Sequence, residues 1–136
     1  RQGHVGAEIV PNLMDGVTVI SDRYDYSSVA YQSVTAGAGE DAVRWVKDIN
    51  RHARRPDLTI VLDVAPEQAA ARRLERGRGR ELYEDEELQR SLAEFYRDID
   101  RHFPGDRIVH LDGGRSVEEV HADILREVRR LRGEAP

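Results

Sequence analysis

Apolar residues along this chain fall into helical and strand-like patterns that take turns. Val5, Ile9 and Leu13 recur at helical spacing and predict a helix over residues 2–14, closed by the turn dipeptide Asp15-Gly16. A short β-branched run at 17–21 predicts a buried strand. Residues 27–35 return to a helical pattern and 35–39 form a Gly-rich break. Residues 40–53 predict another helix, with Val43, Val46 and Ile49 on one face and Trp45 beside them.

Arg55-Pro56-Asp57 stops that helix, because proline cannot continue it and restrains its neighbour. The run 58–64 is the strongest strand in the chain, and its near-continuous apolar character predicts burial on both faces. Pro66 opens the next helix at a favoured first-turn position. That helix runs to about Arg76, where Gly77 and Gly79 break it. A basic loop then gives way to acidic residues 84–87 and a long helix to about His102, with Leu88, Leu92, Phe95, Tyr96 and Ile99 as its apolar stripe. Pro104-Gly105 turns the chain into a third strand at 107–111. Ser116 with Glu119 three residues on is a capping-box signature. It starts a last helix whose inward face is predicted to be Val117, Val120, Ile124, Val128 and Leu131, and residues 133–136 are expected to fray. Strands alternating with helices predict an α/β fold with a parallel sheet, and no internal repeat or linker divides residues 1–136, so one domain is expected. Three strands are few for so many helices.

Composition narrows the class. Hydrophobic residues are 39% and charged residues 35% of 136, which favours a globular chain over a disordered one. A net charge of -5 argues against a nucleic-acid binder held by bulk electrostatics. The absence of cysteine excludes a disulfide framework and a Cys-ligated zinc site, and agrees with a reducing cytoplasm. No apolar run approaches the ~18 residues of a membrane span, and no secretory signal is visible. The chain starts at Arg1, without an initiator Met and inside a predicted helix, as a truncated or excised product would.

Four groups of residues could carry chemistry. Asp22 and Arg23 end the run 17–21, and ligands of open parallel sheets bind outside the carboxyl ends of strands. A guanidinium there can grip a phosphate bidentately, and a carboxylate can hold magnesium or a sugar hydroxyl. A local ion pair capping the next helix is the bland alternative. Ser28, Tyr31 and Gln32 share a helix face. Tyr31 could stack on a sugar or base and Gln32 could bond a base edge, or Tyr31 could simply be core. Arg72, Arg73, Arg76, Arg78 and Arg80 with two glycines suit a lid closing over phosphates, or equally a solvated charged turn. Arg1 and His4 share a helix face, which alone is weak evidence. His52, His102, His110 and His121 show no metal-ligand spacing. Trp45 suits a core or interface anchor.

Several marks fall together in order: Arg1-x-x-His4-Val5, Asp22-Arg23-Tyr24, Ser27-Ser28-x-Ala30-Tyr31-Gln32, Trp45 with Asn50, Pro56-Asp57-Leu58-Thr59, Leu62-Asp63-Val64-x-Pro66-Glu67, Arg72-x-x-x-Arg76-Gly77, and Glu84. The ordered set resembles thymidylate kinase from after its first third to its C-terminus. The arginine- and glycine-rich lid before an acidic helix start looks more like the archaeal-type branch. The resemblance implies a P-loop nucleoside-monophosphate-kinase fold, a parallel sheet flanked by helices, with the first two strands missing from this chain. It implies transfer of the ATP γ-phosphoryl to dTMP, giving dTDP for dTTP biosynthesis, with Mg2+. Carried over by position, Arg23 would hold the dTMP phosphate and Asp22 would lie near phosphates and, indirectly, metal. Arg1 would reach the thymine carbonyl oxygen, Ser28 and Gln32 would face the base, and Tyr31 would pack on the deoxyribose where a ribose 2′-hydroxyl would clash. The lid would occupy about 72–84, with Arg72, Arg76 and Arg80 facing ATP, Arg78 beside them, and Glu84 ordering it. Family members pair as homodimers through helices, so a homodimer is plausible, with dTMP and ATP as partners and neither nucleic acid nor membrane. The alternatives are another P-loop deoxynucleoside or nucleotide kinase, or a non-catalytic nucleotide-binding remnant.

One element of that family has no counterpart in this sequence. A P-loop, G-x-x-x-x-G-K-[ST], cradles the ATP phosphates. Ala36-Gly37-Ala38-Gly39 is followed by Glu and Asp, Gly113-Gly114-Arg115-Ser116 is too short, and the only lysine, Lys47, lies mid-helix. Phosphoryl transfer depends mainly on positioning and electrostatic stabilisation, so arginines and a metal suffice without a nucleophilic side chain, but the ATP cradle is expected to be missing from this chain. The 136-residue chain alone is therefore expected not to phosphorylate dTMP at enzymatic rates; clear ATP-dependent turnover by the purified chain would refute this.

Overall fold

The computed structural model describes residues 8–35, 41, 43–45, 48, 51, 54–75 and 86–134. The chain divides into two compact units, Arg1–Arg55 and Pro56–Pro136.

In the first unit, helix α1 spans Val10–Met14, with Pro11 in its first turn, where a missing N–H costs nothing. The Asp15-Gly16 turn forms as expected. Gly16 sits at φ 77°, its N–H donates to the Leu13 carbonyl (3.1 Å), and the Val17 N–H reaches back to Asn12 (2.9 Å). These two bonds satisfy carbonyls that the helix end would otherwise orphan. The strand expected at 17–21 does not form: among the described residues this run joins no ladder. A strand exists only through its pairing, and β-branched composition cannot supply a partner. Helix α2 spans Asp25–Thr35, starting two residues before the apolar pattern suggested. Tyr26, Val29 and Ala30 are buried on one side, and burying such side chains contributes about 1.5–3 kcal/mol each for the larger ones. Residues 41, 43–45 and 48 are helical, in keeping with the helix expected at 40–53; Trp45 is 61% exposed, so this unit does not use it as a core anchor. Val46 and Ile49 lie outside the described residues.

In the second unit, strands β1 (Thr59–Asp63) and β2 (Ile108–Asp112) pair in parallel, Thr59 opposite Ile108 and Asp63 opposite Asp112. Between them run α3 (Pro66–Glu75), α4 (Glu86–Arg97) and α5 (Ile99–His102), and α6 (Val117–Leu131) follows β2. This is the α/β arrangement of a crossover-connected parallel pair. The long helix expected to His102 is interrupted at Asp98, whose φ of −102° and ψ of 17° leave the helical region. The chain re-enters a helix as α5, which buries Ile99 completely. Ile99, Phe103 and Val61 form the core of this unit, and the Phe95 ring stacks on His102 at 4.6 Å. Leu62 contradicts the expectation of burial on both faces of β1. It is 49% exposed while Val61 is 8% exposed, because alternate strand residues face opposite sides and only one side is covered here.

The capping box of α6 forms as expected. The Ser116 hydroxyl receives the Glu119 N–H, and the Glu119 carboxylate receives the Ser116 N–H at 3.1 Å. Val120, Ile124 and Val128 are half-buried, but Val117 and Leu131, the ends of the expected inward face, are exposed. Residues 133 and 134 do not fray: Gly133, at φ 68°, donates to Arg130, and Glu134 donates to Arg129.

The turn after β2 is packed against the end of β1. Gly113 donates to the Asp63 carbonyl at 2.8 Å. A Cβ on Gly113 would stand 2.9 Å from the Val64 Cγ2 and 3.1 Å from the Leu62 Cβ. Gly113→Ala is expected to destabilise the unit by about 1–3 kcal/mol through overpacking. Gly105→Ala, where an added Cβ meets nothing within 4 Å, should stay within about 0.5 kcal/mol. Urea unfolding of the two variants checks the contrast.

Ion pairs along α6 make the unit acid-sensitive. Hydrogen bonding to the Arg115 guanidinium, aided by Arg126, holds the Asp123 carboxyl below its ordinary range. The Ser116 hydroxyl and N–H do the same for Glu119. Groups depressed by folding contribute stability that is complete above their unfolded value, about 4 for carboxylates, and lost as pH falls through the folded value. Thermal stability is therefore expected to drop below pH ~4, and Asp123→Asn together with Glu119→Gln should flatten that drop. Melting curves from pH 7 to 2.5 measure it; an unchanged acid slope in the double variant would contradict the assignment.

Candidate functional site

Arg23 is the only non-glycine among the described residues at positive φ, 66°. Left-handed backbone disfavours a side chain with a Cβ and costs about 1–3 kcal/mol unless its surroundings enforce it. Here the Ser21 hydroxyl donates to the Arg23 carbonyl at 2.8 Å and closes the turn from the N-terminal side. Helix α2 begins two residues later. Asp22 and Arg23 are both exposed, and neither side chain enters an ion pair with a described residue. The bland expectation, a local ion pair capping the helix, is not what forms.

The helix that follows is two-faced. Tyr26, Val29 and Ala30 point inward, while Ser28, Tyr31 and Gln32 lie on the opposite side, Ser28 half-buried and the other two exposed. Tyr31 is 54% exposed, so within this unit it is not core. Ser33 and Thr35 turn their hydroxyls back onto the Val29 and Tyr31 carbonyls, the latter at 2.7 Å. Arg23, at the helix start, and Ser28, Tyr31 and Gln32, along the open face, thus belong to one continuous segment. A shallow cleft elsewhere in the unit, lined by Val10, Leu13, Met14 and Arg54, contains none of them.

Asp25 in this segment and Arg55 outside it form a contact that spacing along the sequence does not signal. Asp25, in the first turn of α2, is 2% exposed and pairs with Arg55. The Arg55 guanidinium also lies 4.9 Å over the Tyr26 ring. An acid at a helix start is commonplace; its burial depends on an arginine thirty positions away, and spacing does not expose that.

In the second unit, Arg72 is half-buried near the end of α3 and donates to the Gly113 carbonyl at 3.0 Å. Gln68, one turn earlier, donates to the Gly114 carbonyl at 3.0 Å. The expected lid arginine is, in this conformation, a strut between the crossover helix and the turn after β2. Asp63, at the end of β1, meets His110 Nδ1 at 2.8 Å, and Asp100 stands 3.4 Å from its Nε2. Arg1, Arg76, Arg78, Arg80 and Glu84 lie outside the described residues.

Magnesium fits the donor set in one way only. Among the described residues no group of three or more His, Cys, Asp or Glu side chains could hold an ion. The exposed Asp22 carboxylate is a single ligand of the kind magnesium accepts when water and substrate phosphates supply the rest. No helix among the described residues is long and apolar enough to cross a membrane.

An exposed arginine at a strained helix start thus stands beside an open helix face that carries Ser28, Tyr31 and Gln32. The chain belongs to the thymidylate kinase family: the family model described as thymidylate kinase matches residues 1–124. Its fold class is accordingly that of the P-loop nucleoside-monophosphate kinases. It is 40% identical over 138 aligned residues to the thymidylate kinase of Symbiobacterium thermophilum, covering 98% of this chain and 64% of that protein. It is 42% identical to the probable thymidylate kinase of Thermococcus onnurineus, over 92% of this chain and 58% of that protein. It is 40% identical to the probable thymidylate kinase of Pyrobaculum aerophilum, over 96% and 64% respectively. The chain therefore spans about 58–64% of the length of these relatives.

Proposed function

We propose that this chain supplies the acceptor-binding part and the lid arginines of a kinase that moves the γ-phosphoryl of ATP onto dTMP, giving dTDP. The observation that carries the reading is Arg23: a guanidinium held in left-handed backbone at the start of α2 and left without an ion-pair partner among the described residues. A phosphate dianion is its natural complement, since guanidinium and phosphate bond bidentately. Family membership supports the same acceptor.

From Arg23 outward, each residue takes a role. Arg23 grips the dTMP phosphate and fixes its distance from the donor. Ser28 and Gln32 offer hydrogen bonds to the base edge from the open face of α2, and Tyr31 lays its ring against the deoxyribose. Arg1 reaches the thymine carbonyl oxygen. Arg72, Arg76 and Arg80, with Arg78 beside them and Glu84 holding the loop, stabilise the charge that develops on the transferring group; for Arg72 this requires release from Gly113. Asp22 would help hold magnesium, which when bound would supply charge neutralisation at the phosphates. A cytoplasmic location, with dTMP and ATP as small-molecule partners and a helix-paired homodimer, completes the reading.

Equilibrium binding tests it. The chain should bind dTMP more tightly than thymidine, the difference being the phosphate. Arg23→Ala should lower dTMP affinity by about 1.5–3 kcal/mol, the value of a charge-assisted bond, roughly ten- to a hundredfold in Kd, and leave thymidine affinity unchanged. Equal affinity for dTMP in the variant and the parent would remove Arg23 from the acceptor site.

A further inference from the structure

A strained arginine is useful only where something prevents its relaxation, and the surroundings of Arg23 identify what does. On its N-terminal side is the Ser21 hydroxyl bond to its own carbonyl, 2.8 Å. On its C-terminal side the Ser27 N–H donates to the Tyr24 carbonyl at 3.3 Å, and α2 starts at Asp25. That start is fixed in place rather than merely initiated. Asp25 is 2% exposed, one of its carboxylate oxygens is paired with Arg55, and the other is buried without a hydrogen-bond partner. Val29 and Ala30, one turn on, are fully buried. A buried carboxylate cannot shift without leaving its cation behind. If α2 slid or unwound by one residue, Asp25 would break from Arg55, and Arg55 would leave the Tyr26 ring.

We infer that Asp25 and Arg55 are positioning residues. The buried Asp25 carboxylate, held by the partly exposed Arg55, locks the first turn of α2 and, with the Ser21 hydroxyl, holds Arg23 in the left-handed conformation that aims its guanidinium at a phosphate. Neither touches the ligand; both act through Arg23. This rests on the acceptor-site reading above.

Its signature is a loss confined to the phosphate. Asp25→Asn keeps the shape of the side chain and removes the charge. In the full 136-residue chain it should cut the preference for dTMP over thymidine at least tenfold, while thymidine affinity, which depends on the open face of α2, changes less than twofold. Ser21→Ala, at an exposed position where folding is not in question, should reduce the same preference several-fold with no change in far-UV circular dichroism. Arg55→Lys should retain more of the preference than Arg55→Met. If Asp25→Asn and Ser21→Ala keep the parent's preference, the inference is overturned while the acceptor reading stands. If the parent itself shows no preference, the acceptor reading falls and this inference falls with it. Should Asp25→Asn fail to fold, Arg55→Lys against Arg55→Met decides, and equal preference in those two variants overturns the inference.

Discussion

The parallel pairing of β1 with β2 is the constraint on which the second unit depends. Parallel neighbours cannot be joined by a hairpin, so the chain must travel the length of the pair and return before β2 can form. The helices between Pro66 and His102 lie on that return path, and α4 among them packs on β1. The same constraint puts the carboxyl ends of both strands side by side, Asp63 opposite Asp112. The turn leaving β2 then lies against the exit of β1, so closely that position 113 admits only hydrogen in place of a side chain. Gln68 and Arg72, one turn apart on the first crossover helix, close the arrangement by bonding both carbonyls of that turn. An arginine expected to face solvent and phosphate is thus held by the sheet edge in this conformation, and any movement of it toward a ligand first has to break that bond.

The first unit depends on a different kind of contact. It has no strand ladder among its described residues, and its buried set is small: Asp25, Tyr26, Val29 and Ala30, all on α2. The Asp25–Arg55 pair, with the Arg55 guanidinium over the Tyr26 ring, links the two ends of a thirty-residue stretch of chain.

Which features were legible in the sequence follows from how local their causes are. Gly16, Pro66 and the Ser116–Glu119 box act within one helical turn, and each formed as the sequence indicated. Both strands of the sheet and their parallel sense were legible from apolar run length and the helices between. The run 17–21 and Leu62 were misread for one reason: composition records a tendency to be covered, whereas pairing and burial need a partner surface. Asp98 escaped notice because one unfavourable dihedral interrupts a helix without disturbing its apolar stripe. That Asp22, Arg23, Ser28, Tyr31 and Gln32 share one segment was legible from motif order and helical spacing. Arg55 was not, because its role depends on a tertiary contact, and the strut formed by Arg72 depends on a turn forty-one positions away.

The energetics of Asp25 argue for geometry over stability as the role of its ion pair. Withdrawing the Asp25 carboxylate from water costs several kcal/mol, and its attraction to Arg55, whose side chain stays 39% exposed, roughly cancels that cost, so an apolar residue of similar size would commonly hold a helix as well or better. Stability alone thus gives little reason to place an acid at a position 2% exposed. Direction gives a reason. Apolar packing tolerates sliding along a surface, whereas a paired charge accepts one register, because every other register leaves a buried ion uncompensated. Two residues before that fixed point, the backbone takes up a conformation costing about 1–3 kcal/mol, which a helix start free to shift by one residue would relieve. The strain at Arg23 and the burial of Asp25 therefore account for each other: the first needs an anchor that cannot slip, and the second has the properties of one.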